Sequence, residues 1–258
     1  MERFLYIAVP LLIVIVPLVW LFVRGYARSI PATNPLAPKP LESILKKIDV
    51  TPDNPTSFGY KMSWLAIKAS DAEEVLKSLN LQNVQPANWH TGFVAAYNGH
   101  VFVSPPVNGW VFVVSPKLPE PDWSNGAGAW NSLLVGLSGK FGEAQYFGTH
   151  RVVGYHAWAR FINGKEARAF AFLGERLETL ADRGEKTAGE LELGYDYLAA
   201  DSDIKSESYW QRDDACWPDE EHVMEVAGKW SVNPTTLEEL GLPRGVGWIG
   251  NFSDRVVG

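Results

Sequence analysis

The sequence predicts an α+β fold in which antiparallel meander sheets pack with helices behind an N-terminal transmembrane helix. Three observations carry this. Residues 4–23 are one apolar run without a charged side chain, three Asn-Gly pairs separate strand-like runs, and helix-capping sequences precede amphipathic stretches between them. An uninterrupted run of about twenty residues at about 1.5 Å rise matches a hydrocarbon core of roughly 30 Å. Three segments follow from this: an anchor over 1–28, a proline-rich stalk with a short helix over 29–57, and a soluble α+β domain over 58–258.

The anchor is flanked by Arg3 on one side and Arg24 and Arg28 on the other, with Tyr6 and Trp20 near its ends, where interfacial rings belong. Pro10 and Pro17 each remove a backbone donor and predict kinks that a membrane helix tolerates. A cleaved signal peptide would have a shorter apolar core and a small-residue site close behind it, whereas Arg24-Gly25-Tyr26-Ala27-Arg28 follows here. The reading is therefore a single-pass signal anchor in a bacterial inner membrane. A literal count of flanking positive charge places the domain inside the cell, but a short leader before an uncleaved anchor favours an extracytoplasmic domain, which is the expectation adopted.

Behind the anchor, prolines 31, 35, 38 and 40 favour extended, semi-rigid backbone. Leu41, Ile44, Leu45 and Ile48 then fall on one helical face. Tyr60 to Lys68 reads as a strand, and Ser70-Asp71-Ala72-Glu73 as a capping box before Val75, Leu76 and Leu79. Asn-Gly accepts the positive φ that a type I′ hairpin demands. Asn98-Gly99 is expected to join GFVAAY to HVFVS, Asn108-Gly109 to lead into WVFVVS, and Asn163-Gly164 to join RVVGYHAWARFI to KEARAFAF. Pro105 and Pro106 cannot donate ladder hydrogen bonds, so they belong at an edge or bulge.

Trp130 to Phe141 has helical spacing and a stop at Gly142. The helices near 71–79 and 130–141, each with three expected strands, share the order α-β-β-β, which fits either two duplicated modules or one ordinary α+β fold. Further on, Thr187-Ala188-Gly189-Glu190 is a capping box. Val223, Val226, Ala227 and Trp230 share a face, and Asn233-Pro234 to Leu240-Gly241 is a helix punctuated at both ends.

Charge excludes one class of partner. Residues 29–258 hold 20 basic against 29 acidic side chains, a balance that repels nucleic acid rather than neutralising its phosphates. The single cysteine, Cys216, permits no internal disulfide and argues against a disulfide-built ectodomain. No phosphate-binding loop, nucleophile elbow or helical zinc motif is present, and no cofactor is expected.

Two weak chemical candidates remain. His150 and His156 lie six apart on what reads as one strand, so both imidazoles would share a face. They form the alternative reading, a membrane-tethered metal-dependent hydrolase or transferase with Glu175 or Asp203 as partner. Across the Asn163-Gly164 turn, a two-residue loop sets Ala159 opposite Arg168 and Phe161 opposite Glu166. Arg151, Tyr155 and Phe172 would join that face, making Arg168 either an anion clamp or a residue paired with acids.

The stronger signal is residues 174–225, with 16 acidic against five basic side chains. There Tyr195, Tyr197, Tyr209, Trp210 and Trp217 alternate with Asp196, Asp213, Asp214 and Asp219. Aromatic anchors mixed with negative charge suit a basic protein partner, although the same composition also fits core rings beside a solvated acidic face. With no coherent catalytic constellation, the expectation is a membrane-anchored protein-binding module, an immunity or inhibitor protein that captures a basic toxin or secreted enzyme.

Overall fold

The structure, a computed structural model, describes residues 40–44, 47–194, 211 and 217–252. The apolar segment 4–23 and the stalk to residue 39 lie outside them. Among the described residues no helix is long and apolar enough to cross a membrane.

Nine strands form one antiparallel sheet: β1 (Ser63–Lys68), β2 (Gln82–Asn88), β3 (Val101–Val103), β4 (Trp110–Val114), β5 (Glu143–His150), β6 (Tyr155–Ile162), β7 (Lys165–Leu173), β8 (Glu178–Arg183) and β9 (Val246–Asn251). Their order across the sheet is β2-β9-β3-β4-β1-β5-β6-β7-β8. Among the described residues six α-helices accompany them: α1 (Leu41–Ile44), α2 (Ala72–Leu79), α3 (Trp89–Tyr97), α4 (Ala129–Phe141), α5 (Ala188–Leu193) and α6 (Glu220–Trp230). Short 3-10 helices cover Gly174–Arg176 and Pro234–Leu240.

Helices lie on both faces of the sheet. Leu65 and Ile67 of β1 pack with Val75 of α2 and Leu134 of α4, while Trp64 and Ala66 pack on the other face with Phe93 of α3 and Val226 of α6. Alternate side chains of a strand point to opposite faces, so a strand covered on both sides must be apolar throughout. WVFVV of β4 is buried at every position for this reason.

That rule explains one correction. GFVAAY was expected as a strand, but it is the body of α3, and Asn98-Gly99 closes a helix rather than a hairpin. Asn98 has φ −98°, outside the left-handed region. A short, wholly apolar run does not distinguish a buried strand from a buried helix. The helix start is fixed both locally and from afar: the Asn88 side chain accepts from Thr91 N at 3.0 Å, and Asp53 accepts from the Trp89 and His90 amides at 2.7 and 3.0 Å. The first expected α-β-β-β stretch is therefore α2-β2-α3-β3-β4, and its strands join those of the second in one sheet.

Other expectations match. Asn108 and Gly109 have φ +48° and +83°, and Asn163 and Gly164 +48° and +80°, as type I′ turns require. The helix at 130–141 is present, ending at Gly142 with φ +85°. Thr187 and Glu190 form both bonds of the capping box, and Asn233 caps the last helix, which is 3-10. At α2 the cap falls one residue later than expected, on Asp71, whose side chain accepts from Glu73 N. Pro105 and Pro106 sit in the turn beyond β3, clear of the ladder.

Candidate functional site

The stretch RVVG that was expected to begin a strand is instead the turn joining β5 to β6. In the resulting hairpin, His150 pairs with Tyr155, and Thr149 with His156. Cross-strand partners share a face, so the two histidines project from opposite faces of the sheet. The shared-face arrangement proposed for a metal is thereby overturned. His150 is exposed, whereas His156 is buried beside Phe172, its partner on β7. Among the described residues no three His, Cys, Asp or Glu side chains group closely enough to hold a metal ion. Asp203 lies outside the described residues.

Arg168 also changes faces. Phe161 pairs with Glu166 as expected, but a bulge then inserts Ala167, so Arg168 pairs with Arg160 and Ala159 with Ala169. A one-residue slip moves every later side chain to the other face. Arg168 and Phe172 therefore separate from Tyr155, Ala159 and Phe161. Arg168 is buried against Glu190 and Asp182, the acid-paired alternative rather than an anion clamp.

The hairpin turn, the Gly174–Arg176 turn after β7 and the start of α6 enclose a cavity of about 520 Å³, within the usual range for ligand sites, about 300–1,000 Å³. Phe172, His156 and Pro218 give it a buried wall, while Glu175, Glu221 and Trp217 stand exposed around it. Trp217 is 47% exposed. The α6 cap builds one wall: the Asp219 side chain accepts from His222 N at 3.0 Å, and His222 Nδ1 accepts from Asp219 N at 3.2 Å. This reciprocal pair closes the first turn of α6, which carries Asp219, Glu220 and Glu221 at the cavity. Tyr60 Oη donates to Glu221 Oε1 at 2.7 Å, and this bond raises the Tyr60 pKa.

Electrostatically, four carboxylates (Glu175, Asp219, Glu220 and Glu221) face one cation, Arg151. Arg151 Nη1 stands 3.8 Å from Glu220 Oε2, too far for a hydrogen bond. Glu220 Oε1 is buried and accepts no hydrogen bond. His156 Nδ1 bonds Thr149 Oγ1 at 3.0 Å. Burial lowers the His156 pKa to about 4, with the Asp219 charge opposing and His222 reinforcing the shift. His156 is therefore neutral at physiological pH. Burial lowers His222 as well.

Of the residues singled out from the sequence as a binding surface, Trp217 lines this cavity. Tyr195, Asp196, Tyr197, Tyr209, Trp210, Asp213 and Asp214 lie outside the described residues. Sequence reasoning missed Glu220 and Glu221 as site residues and assigned Arg151 and Phe172 to a different surface, the one around Arg168. The available signal was the run Pro218-Asp219-Glu220-Glu221, which opens a helix with three successive acids.

The fold and site together define a two-face-covered antiparallel α+β protein with an acidic, aromatic-walled cavity at one end of a hairpin. Compared with known proteins, no family model matches the chain, and no curated protein or solved structure matches it.

Proposed function

We propose that this chain is a membrane-anchored binding protein that captures a basic protein partner, in the manner of a bacterial immunity or inhibitor protein, with its domain on the extracytoplasmic side. The observation that carries the reading is the cavity beside α6, where four carboxylates outnumber one arginine next to an exposed tryptophan. Part of the cavity lining, Gly174, Glu175 and residues 217–221, belongs to the acidic stretch 174–225, so long-range attraction and short-range aromatic contact favour the same class of partner. The apolar run 4–23 supports the tether.

Affinity purification of the full chain from membranes tests this, followed by association kinetics with the recovered partner. The expected result is an association rate that falls at least tenfold between low salt and about 0.5 M, as steering is screened over a few ångströms. Charge reversal at Asp213 and Asp214 should slow it further. A rate indifferent to salt and to both reversals rules the reading out. Extraction of the full chain by alkaline carbonate alone would remove the tether.

A further inference from the structure

The cavity beside α6 has a chemistry narrower than negative charge, and we infer that it receives the guanidinium group of an arginine side chain presented by the captured partner. This rests on the capture reading above and specifies what the cavity itself recognises.

The inner wall offers acceptors that nothing in the fold uses. Glu220 Oε1 is buried with no donor. His156 is only 5% exposed, and Thr149 occupies its Nδ1, leaving Nε2 as the nitrogen without a hydrogen bond on a residue that lines the cavity. A neutral imidazole whose Nδ1–H donates to Thr149 Oγ1 presents an Nε2 lone pair. Buried polar atoms left unsatisfied are uncommon and costly, so the Glu220 oxygen, on the same cavity as this imidazole, points to a donor arriving from outside.

The spread of these acceptors selects the ligand. No three His, Cys, Asp or Glu side chains among the described residues close around a single ion, so these acceptors do not form a metal cluster. A guanidinium carries five N–H donors in a planar fork and engages separated acceptors at once. It also stacks on aromatic faces, and Phe172 and Trp217 both line the cavity. The positive end of the α6 dipole opposes a cation here, but Asp219, Glu220 and Glu221 in and beside the first turn outweigh about half a charge.

Arg151 supports the assignment from within the chain. It is 59% exposed, and its Nη1 stays 3.8 Å from Glu220 Oε2. The fold thus already places a guanidinium at the rim without seating it. An incoming arginine would take the inner position, and Arg151, on the turn between β5 and β6, would compete with it.

The test uses the full chain in detergent micelles, titrated with N-acetyl-arginine amide, N-acetyl-lysine amide and agmatine and followed through the His156 imidazole ¹⁵N signals. Arginine amide is expected to shift Nε2 and to bind at least tenfold more tightly than lysine amide. Glu220→Gln should weaken it tenfold or more, whereas Arg151→Met should tighten it. Binding tighter than that of agmatine assigns the guanidinium to a peptide; preference for agmatine overturns a protein source. Equal binding of the lysine and arginine amides, or arginine binding unchanged by Glu220→Gln, overturns the inference. So does a failure of arginine amide to bind; if the partner's association still slows with salt and with reversal at Asp213 and Asp214, the capture reading stands without it.

Discussion

Arg168 Nε donates to Glu190 Oε1 at 2.9 Å, and the two side chains are 2% and 3% exposed. Glu190 also accepts from Trp158 Nε1 at 2.9 Å and from Thr187 N at 2.8 Å, while Trp230 Nε1 donates to Thr187 Oγ1 at 2.8 Å. One carboxylate therefore caps α5, pairs with a central arginine of β7 and reaches an indole of β6, and through Thr187 the network touches α6. The bulge at Ala167 makes this possible by turning Arg168 toward that face.

Removing one member should be severe. Burying an unpaired charge typically costs about 3–5 kcal/mol, so Arg168→Met, which strands the Glu190 carboxylate, is expected to lower unfolding free energy by about that much, whereas Glu190→Leu leaves Arg168 its Asp182 partner and should cost less. The double variant should recover part of the Arg168→Met loss, because the buried Glu190 charge is then gone as well, and Asp182 is partly solvated. Urea unfolding of the two single variants and the double variant measures the coupling. Strict additivity of the two single losses would show that the charges do not depend on one another.

Gly92 lies in α3, where helix propensity alone favours alanine by about 0.5–1 kcal/mol. Geometry reverses the sign. A Cβ at this position would overlap the Phe102 ring, which cannot retreat because it packs against Trp89 and Phe93 at centroid distances of 5.6 and 5.3 Å. Gly92→Ala is expected to destabilise by about 1–3 kcal/mol, the usual cost of overpacking. A thermal midpoint at or above that of the parent would contradict the close approach of α3 to β3.

Asp53 caps α3 from 36 residues away through the Trp89 amide, and its backbone carbonyl accepts from Gly245 N at 3.0 Å. Asp53→Ala should cost about 1–2 kcal/mol through lost capping while leaving the carbonyl contact intact. Amide exchange is the sharper readout. Protection should fall at Trp89 and His90 and persist at Gly245, whereas uniform loss would mean that Asp53 acts through something other than the helix end.

These cases show which parts of the molecule could be read from residues alone. Where a signal is local, as in the positive φ of Asn108 and Asn163 or the reciprocal bonds of Thr187 and Glu190, the element appears where expected. Where the outcome depends on remote partners, the sequence misleads. Asp53 adds to the Asn88 cap of α3 from 36 residues away, and the face of Arg168 depends on a single inserted residue. Strands β2 and β9 carried no expectation: QNVQPAN is poor in strand formers, and its Pro86 is acceptable because β2 is an edge. The cavity is legible only in part. Trp217 and His156 stood out, but their meeting depends on α6 closing against the β5–β6 turn, a contact between segments some sixty residues apart.

His156 provides a pH-dependent test of that contact. Its pKa falls from the ordinary 6.5 to about 4 on folding because burial disfavours the imidazolium. Between those values the unfolded chain binds the proton and the folded chain does not, so stability rises with pH across the window. The stabilisation is complete above about pH 6.5 and is lost as pH falls toward 4, a total of about 3 kcal/mol. The groups around the imidazole are Asp219, Glu175, Glu220, Glu221, Arg151 and His222; His222, also lowered by burial, adds a slope of the same sign. His156→Asn removes the titrating ring. Urea unfolding between pH 4 and 7 should then show a shallower rise for the variant than for the parent, with the remaining slope owed in part to His222. Parallel curves would mean that His156 is not held neutral against the α6 cap, and the part of the arginine site that draws on its imidazole would then lose its support.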